Sequence, residues 1–129
     1  MPSTVGRGQY YENRAARFLR KRGFTIRHRN FRARRGEIDI VAEKERELVF
    51  VEVRYRKGAR FGYAFETVDL RKQIRLVHAA RSYLNYQKPV FEAARFDIIA
   101  FTGKNAAPSH LRDAFRVENV PGLKAVPLL

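Results

Sequence analysis

Between Gln9 and Arg22 the apolar or small residues Tyr11, Ala15, Phe18 and Leu19 recur at i, i+4, i+7 and i+8, and Gly23 follows as a stop. That spacing predicts a one-sided helix whose outer positions, Arg14, Arg17, Arg20 and Lys21, are basic. The period then shortens to two. Phe24, Ile26 and His28 alternate with Thr25, Arg27 and Arg29, as in a half-exposed strand ending at Asn30, and Phe31 to Gly36 reads as a basic loop. Glu37 to Glu43 and Leu48 to Tyr55 read as two more strands joined by the charged loop Lys44 to Glu47. Gly58 and Gly62 mark a loop. Leu70, Ile74, Val77, Ala80 and Leu84 return to helical spacing through about Asn85, before Pro89. Phe96 to Phe101 is a short apolar strand with Asp97 inside it, Gly103 to His110 a loop, and Leu111 to Val117 a weaker strand. The predicted order is α-βββ-α-β with room for an extra strand: an α/β fold with a central mixed sheet flanked by helices. Residues 1–119 form one domain in this reading. The tail 120–129, with Pro121, Gly122 and Pro127, is docked or disordered.

Composition supports a folded chain of that size. In 129 residues, 45% are hydrophobic, with ten Phe and six Tyr, enough for one core despite 31% charged residues. The absence of Cys excludes disulfides, thiolate zinc sites and cysteine nucleophiles, and fits a reducing cytoplasm. Near the middle the longest purely apolar run is Leu48 to Val51, and Met1 to Gly8 shows no apolar signal segment, so neither membrane insertion nor export is expected. Charge changes the picture most. Lys and Arg number 27 against 13 acids, a net of +14, with 20 Arg and 7 Lys. Residues 1–36 hold eleven basic side chains against Glu12 alone, a net of +10, so the excess is at the front. Guanidinium groups in that number suit phosphate oxygens and point to nucleic acid.

The central hairpin can be registered by arithmetic. If Lys44 to Glu47 form the loop, Glu43 faces Leu48 and Asp39 faces Glu52. Arg54 then shares their face, opposite Glu37, while Ile38, Ile40, Ala42, Val49, Val51 and Val53 make the other face apolar. Two carboxylates opposed beside a core repel and must hold a proton or a cation. Mg²⁺ suits such a pair, because it takes oxygen ligands and completes its shell with water and substrate phosphate. The same residues also fit a salt-bridge network on an exposed hairpin. His28, His78 and His110 lack zinc spacing, and there is neither a Gly-rich phosphate loop nor a sustained heptad.

Gly36-Glu37-Ile38-Asp39, followed thirteen residues after Asp39 by Glu52-Val53-Arg54, resembles the catalytic strand pair of the restriction-endonuclease-like, PD-(D/E)XK, superfamily. Tyr11-Glu12, Asn30-Phe31-Arg32, Phe50-Val51-Glu52-Val53, Phe61-Gly62, Lys72 and Arg95-Phe96-Asp97 add a closer likeness, to the small bacterial YraN-like family of endonucleases, itself similar to archaeal Holliday junction resolvases. The likeness covers roughly residues 8–101. It implies a restriction-endonuclease-like core and Mg²⁺- or Mn²⁺-dependent hydrolysis of phosphodiester bonds in DNA or structured nucleic acid. Asp39 and Glu52 would hold the metal and Glu12 would contribute from across the site. Position 54 would carry the superfamily's lysine, but here it is arginine, which stabilises charge and cannot serve as a base. Lys72 is a substitute from the second helix. Arg14, Arg17, Arg32, Arg34 and Arg35 would hold the flanking backbone. The alternative is a relative that binds nucleic acid without cutting it, and a third reading is a basic adaptor for a ribosome or membrane surface. Cleavage of a four-way junction would require two sites, hence a homodimer.

Overall fold

The computed structural model describes residues 4–56, 68–103, 107–120 and 123. Helix α1 (Thr4–Lys21) buries Tyr11, Ala15, Ala16 and Leu19 along one stripe. Arg20 and Lys21 in its last turn oppose the helix dipole, and Gly23 at φ 91° turns the chain out through a bond from its N–H to the Arg20 carbonyl. Three strands follow, β1 (Thr25–Ala33), β2 (Gly36–Lys44) and β3 (Glu47–Arg56). Helix α2 (Leu70–Gln87) leads to β4 (Ala93–Thr102), then β5 (Ser109–Phe115) and a 3-10 turn at Val117–Asn119.

The five strands form one sheet in the order β1-β2-β3-β4-β5. Strands β3 and β4 are parallel and the other neighbours antiparallel. A parallel step needs a crossover, and α2 supplies it. The mixed sheet lies between the two helices, an α/β arrangement consistent with a restriction-endonuclease-like core. Strand β3 is central and covered on both sides, which explains its unbroken apolar run. Val49 and Val51 pack with Leu19, Ile40 and Phe101 on the α1 side, whereas Leu48 and Phe50 pack with Val77, Tyr83 and Phe96 on the α2 side.

Strand β5 is fastened by one buried carboxylate. The Asp97 oxygens receive Arg95 Nε at 2.9 Å and the Asp113 N–H at 3.0 Å, and lie 2.7 Å from His110 Nε2. Arg95 also pairs with Glu47 on β3. Burial pushes the Asp97 carboxyl up, but His110, Arg95 and the Asp113 N–H more than reverse it and hold it below the usual range.

Several boundaries move. Phe31 to Gly36 is mostly strand rather than loop, because Phe31 is buried against the α2-side core and only Arg34 and Arg35 form the turn. The β2–β3 loop shrinks to Glu45 and Arg46, with Lys44 and Glu47 paired. Ser109 and His110 belong to β5, where His110 pairs with Ile99, and Val117 has left the strand for the 3-10 turn. The loop at Gly58 and Gly62 and the Phe61-Gly62 motif lie outside the described residues. In the tail, Val120 is buried and Leu123 packs on the α2-side core; residues 121–122 and 124–129 lie outside the described residues. No described helix is long and apolar enough to cross a membrane.

Candidate active site

The β2–β3 turn places Glu45 at φ 52° and Arg46 at φ 64°, the backbone of a two-residue type I′ hairpin that twists with its strands. It fixes the expected register: Lys44 pairs with Glu47, Glu43 with Leu48, and so on to Ile40 with Val51. There the ladder ends. In place of a backbone carbonyl, Asp39 Oδ2 accepts the Val53 N–H at 2.8 Å. The β1–β2 pairing also skips this point, passing from Arg29–Ile40 to Phe31–Ile38, and Asn30 sits at φ 53°. Both strands therefore reset their alternation. His28 and Phe31, three residues apart, both meet the Tyr83 ring, with centroids 6.3 and 5.3 Å away. Ile38 consequently joins the α2-side core with Val41, not the face shared by Ile40 and Val53 that uniform alternation predicts.

At this splay Asp39 and Glu52 come together. Glu52 is only 3% exposed. Burial drives the Asp39 carboxyl well above the usual carboxylate range, and the Glu52 charge and a carboxyl–carboxyl hydrogen bond add to it; the Val53 N–H and Lys72 pull the other way. Two cations converge on Glu52 Oε2, Lys72 Nζ at 3.3 Å and Arg54 Nη1 at 3.6 Å. Arg54 is thus not opposite Glu37, because the ladder has ended before that pair; Glu37 meets Arg32 at 3.9 Å on the surface.

Lys72 reaches Glu52 because α2 starts close to the sheet. Asp69 caps the helix by accepting the Lys72 N–H at 2.9 Å. Gly36 admits the helix: a Cβ there would lie 2.0 Å from the Arg75 carbonyl oxygen. Glu12, on α1, is buried, and its Oε1 accepts from Arg29 Nε and Asn30 Nδ2, both at 2.9 Å. Burial raises its pKa against the pull of Arg29 and Asn30, and the Asp39 charge adds to the rise. Glu12 therefore stands near the pair but is tethered to β1. Among the described residues no group of three or more His, Asp or Glu is gathered to hold a metal ion. The donor set is a pair of carboxylates, which still fits Mg²⁺, an ion that takes one or two protein carboxylates and leaves its other positions to water and phosphate.

The five arginines expected at nucleic acid separate into two groups. Arg34 and Arg35 form the exposed β1–β2 turn with Arg32 just before it, and Arg35 lies near enough to α2 to add to the burial that lowers the His78 pKa. Arg14 and Arg17 lie on α1, the Arg14 guanidinium 4.8 Å over the Phe101 ring. Sequence reasoning overlooked Arg29 and Asn30 as the holders of Glu12. The available signal was an Asn inside a strand pattern, a residue that tolerates positive φ.

A family model described as "Uncharacterised protein family UPF0102" matches residues 11–101, the span that contains Glu12, Asn30, Gly36, Asp39, Glu52, Arg54, Lys72 and Asp97. Similar chains include a UPF0102 protein of Nitrosococcus oceani, 41% identical over 120 residues that cover 88% of this chain and 94% of the relative. One from Chromohalobacter salexigens is 46% identical over 105 residues, covering 81% and 82% of the two chains. One from Aeromonas hydrophila is 41% identical over 116 residues, 88% of each.

Proposed function

This chain belongs to the UPF0102 family, and we propose that it is a metal-dependent nuclease that hydrolyses phosphodiester bonds in DNA or structured nucleic acid. One observation carries the reading: a buried pair of like-charged carboxylates, Asp39 and Glu52, lies where two strands part, with Lys72 and Arg54 both directed at Glu52. A pair that only braced a hairpin would not need two acids side by side, and buried uncompensated charge is costly enough that such pairs gather at working sites. The basic turn at Arg34 and Arg35, continuous with β2 and so with Asp39, offers a hold on the substrate backbone.

Asp39 and Glu52 would hold Mg²⁺ or Mn²⁺, which when bound supplies Lewis acidity and a water of lowered pKa. The chain's own residues do the rest. Water forms a new bond to phosphorus and gives up a proton, the bond to the leaving sugar oxygen breaks with its electron pair, and that oxygen takes a proton in turn. Negative charge grows on the phosphoryl oxygens meanwhile, and the Lys72 ammonium and Arg54 guanidinium, fixed by Glu52, offset it without rearrangement. Glu12 orients the Asn30 kink that sets the position of Asp39. The charge excess and the absence of Cys support residence in the cytoplasm, beside nucleic acid. The arginine at position 54 favours a second reading, a nuclease relative that binds without cutting.

The test is a panel of single-stranded, duplex and branched nucleic acids incubated with Mg²⁺, Mn²⁺ or chelator. Cleavage should require metal, vanish in Asp39→Asn and Glu52→Gln, and fall by about 10²- to 10³-fold in Lys72→Ala, the scale of losing one electrostatic stabiliser. Arg54→Ala should decrease it and Arg54→Lys preserve or increase it. Cleavage of no substrate with either metal, alongside intact binding, would establish the second reading instead.

A further inference from the structure

One face of helix α1, together with the segment that leads into β5, bounds a groove of about 590 Å³. Arg14, Arg17, Lys21 and Arg22 line it, with Phe18 and Pro108, and among the described residues lining it none is acidic. Tyr10 extends the same face by one turn, since 10, 14, 17 and 21 follow helical spacing. Tyr10 is 49% exposed, and the Arg14 guanidinium lies 5.9 Å from its ring centre. From Tyr10 to Arg22 the track rises roughly 18 Å. The same helix reaches the carboxylate pair, since Glu12, two residues beyond Tyr10, lies close enough to Asp39 for that charge to act on its carboxyl.

We propose that this face binds an unpaired nucleic-acid strand, with phosphates on Arg17, Lys21 and Arg22 and one base stacked on Tyr10, so that the substrate of the carboxylate pair has a single-stranded arm. The inference rests on the nuclease reading for its connection to cleavage. Charge complementarity selects a polyanion, and the exposed ring selects its form. A base within a duplex has both faces covered by its neighbours and offers Tyr10 nothing, whereas an unpaired base presents a free face to stack.

The test is fluorescence anisotropy in chelator, where nothing is cut, using a labelled DNA single strand about a dozen nucleotides long and the same sequence as duplex. The full chain should bind the single strand more tightly, with a log–log salt slope near −2 for three phosphates at roughly −0.7 each. Tyr10→Ala should weaken binding about 5- to 20-fold with little change in slope, and Tyr10→Phe, which keeps the ring, should restore it. Arg17→Ala with Lys21→Ala should flatten the slope by about 1.4. Tighter binding of the duplex, or indifference to Tyr10→Ala, overturns the proposal. Because binding is read without metal, failure here is separate from failure of the cleavage panel.

Discussion

Asp39→Asn tests whether the carboxylate pair is built for something other than stability. The amide has nearly the shape of the carboxyl. Its oxygen can still accept the Val53 N–H, now received by Asp39 at 2.8 Å, and its NH₂ can donate to Glu52 with no shared proton. In the wild type, burial and then the Glu52 charge raise the Asp39 pKa, so the folded chain keeps that proton to higher pH than the unfolded chain. For a raised carboxyl the contribution to stability is complete below the unfolded value, about 3.9, and is lost as pH rises through the folded one. Above the unfolded value and without metal, the wild type therefore bears the cost of holding either that proton or that charge beside Glu52, and the variant does not. Relieving it should stabilise by about 1–3 kcal/mol, inside the range found when buried ionic groups are replaced by neutral ones. In a chain of this size that is a rise of roughly 3–12 °C in Tm. The assay is thermal unfolding followed by circular dichroism in EDTA from pH 3 to 8. The two proteins should converge at the acid end and separate as pH rises. Adding Mg²⁺ should then stabilise the wild type, by about 2.7 kcal/mol at a hundred times its Kd, and leave the variant nearly unmoved. A variant less stable than wild type at pH 8 in EDTA, or a gain equal at both ends of the range, would refute the reasoning.

Two further substitutions probe the supports of the site. Gly36→Ala puts a methyl 2.0 Å from the Arg75 carbonyl, so α2 must back away; chemical denaturation should show a loss of about 1–3 kcal/mol or more, and whatever cleavage the wild type performs should fall as Lys72 leaves Glu52. Asp97→Ala leaves Arg95 and His110 without their shared carboxylate and should cost about 3–5 kcal/mol at pH 7. The Asp97 pKa is depressed, so its contribution is present above the unfolded value and lost as pH falls through the folded one; the gap between mutant and wild type should close in acid, and a gap that persists there would point to lost packing instead.

What the sequence revealed and what it hid follow from the range of the interactions. Amphipathic spacing disclosed both helices, because Tyr11, Ala15 and Leu19, or Val77 and Ala80, reach the core only at helical period. The hairpin register was readable because a charged turn between two β-branched runs leaves few alignments, and the structure has Glu43 opposite Leu48 as counted. Counting failed where the ladder itself fails. Register arithmetic assumes uniform alternation, and nothing local announces that Asn30 will adopt φ 53° or that Ile38 will change face. The loop expected at Phe31 was wrong for a related reason: five arginines between Arg27 and Arg35 disguised a strand whose buried residue, Phe31, is outnumbered by side chains on solvent. The two groups of arginine were likewise invisible in a charge count, because one belongs to a helix face and the other to a turn.

The cations explain how the chain accommodates an arginine where the resembling superfamily has lysine. Position 54 sits two residues beyond Glu52 on one strand, so its side chain must lie along the sheet to approach the carboxylate, and it stops at 3.6 Å. Lys72 arrives from above, out of the first turn of a helix, and comes to 3.3 Å. An amine can release a proton and a guanidinium cannot, so if the chemistry requires proton transfer at a cation, only the helix supplies it. That places the demand on α2, whose approach depends on the missing side chain at Gly36 and the cap at Asp69. The segment Gly36 to Asp39 then does two things at once: its first residue lets the lysine in, and its last brings one of the two acids. On the proposed nuclease reading, a lysine supplied from the helix instead of the strand requires no change in the carboxylate pair, and it makes the closeness of α2 to β2, rather than the identity of residue 54, the property on which activity should depend.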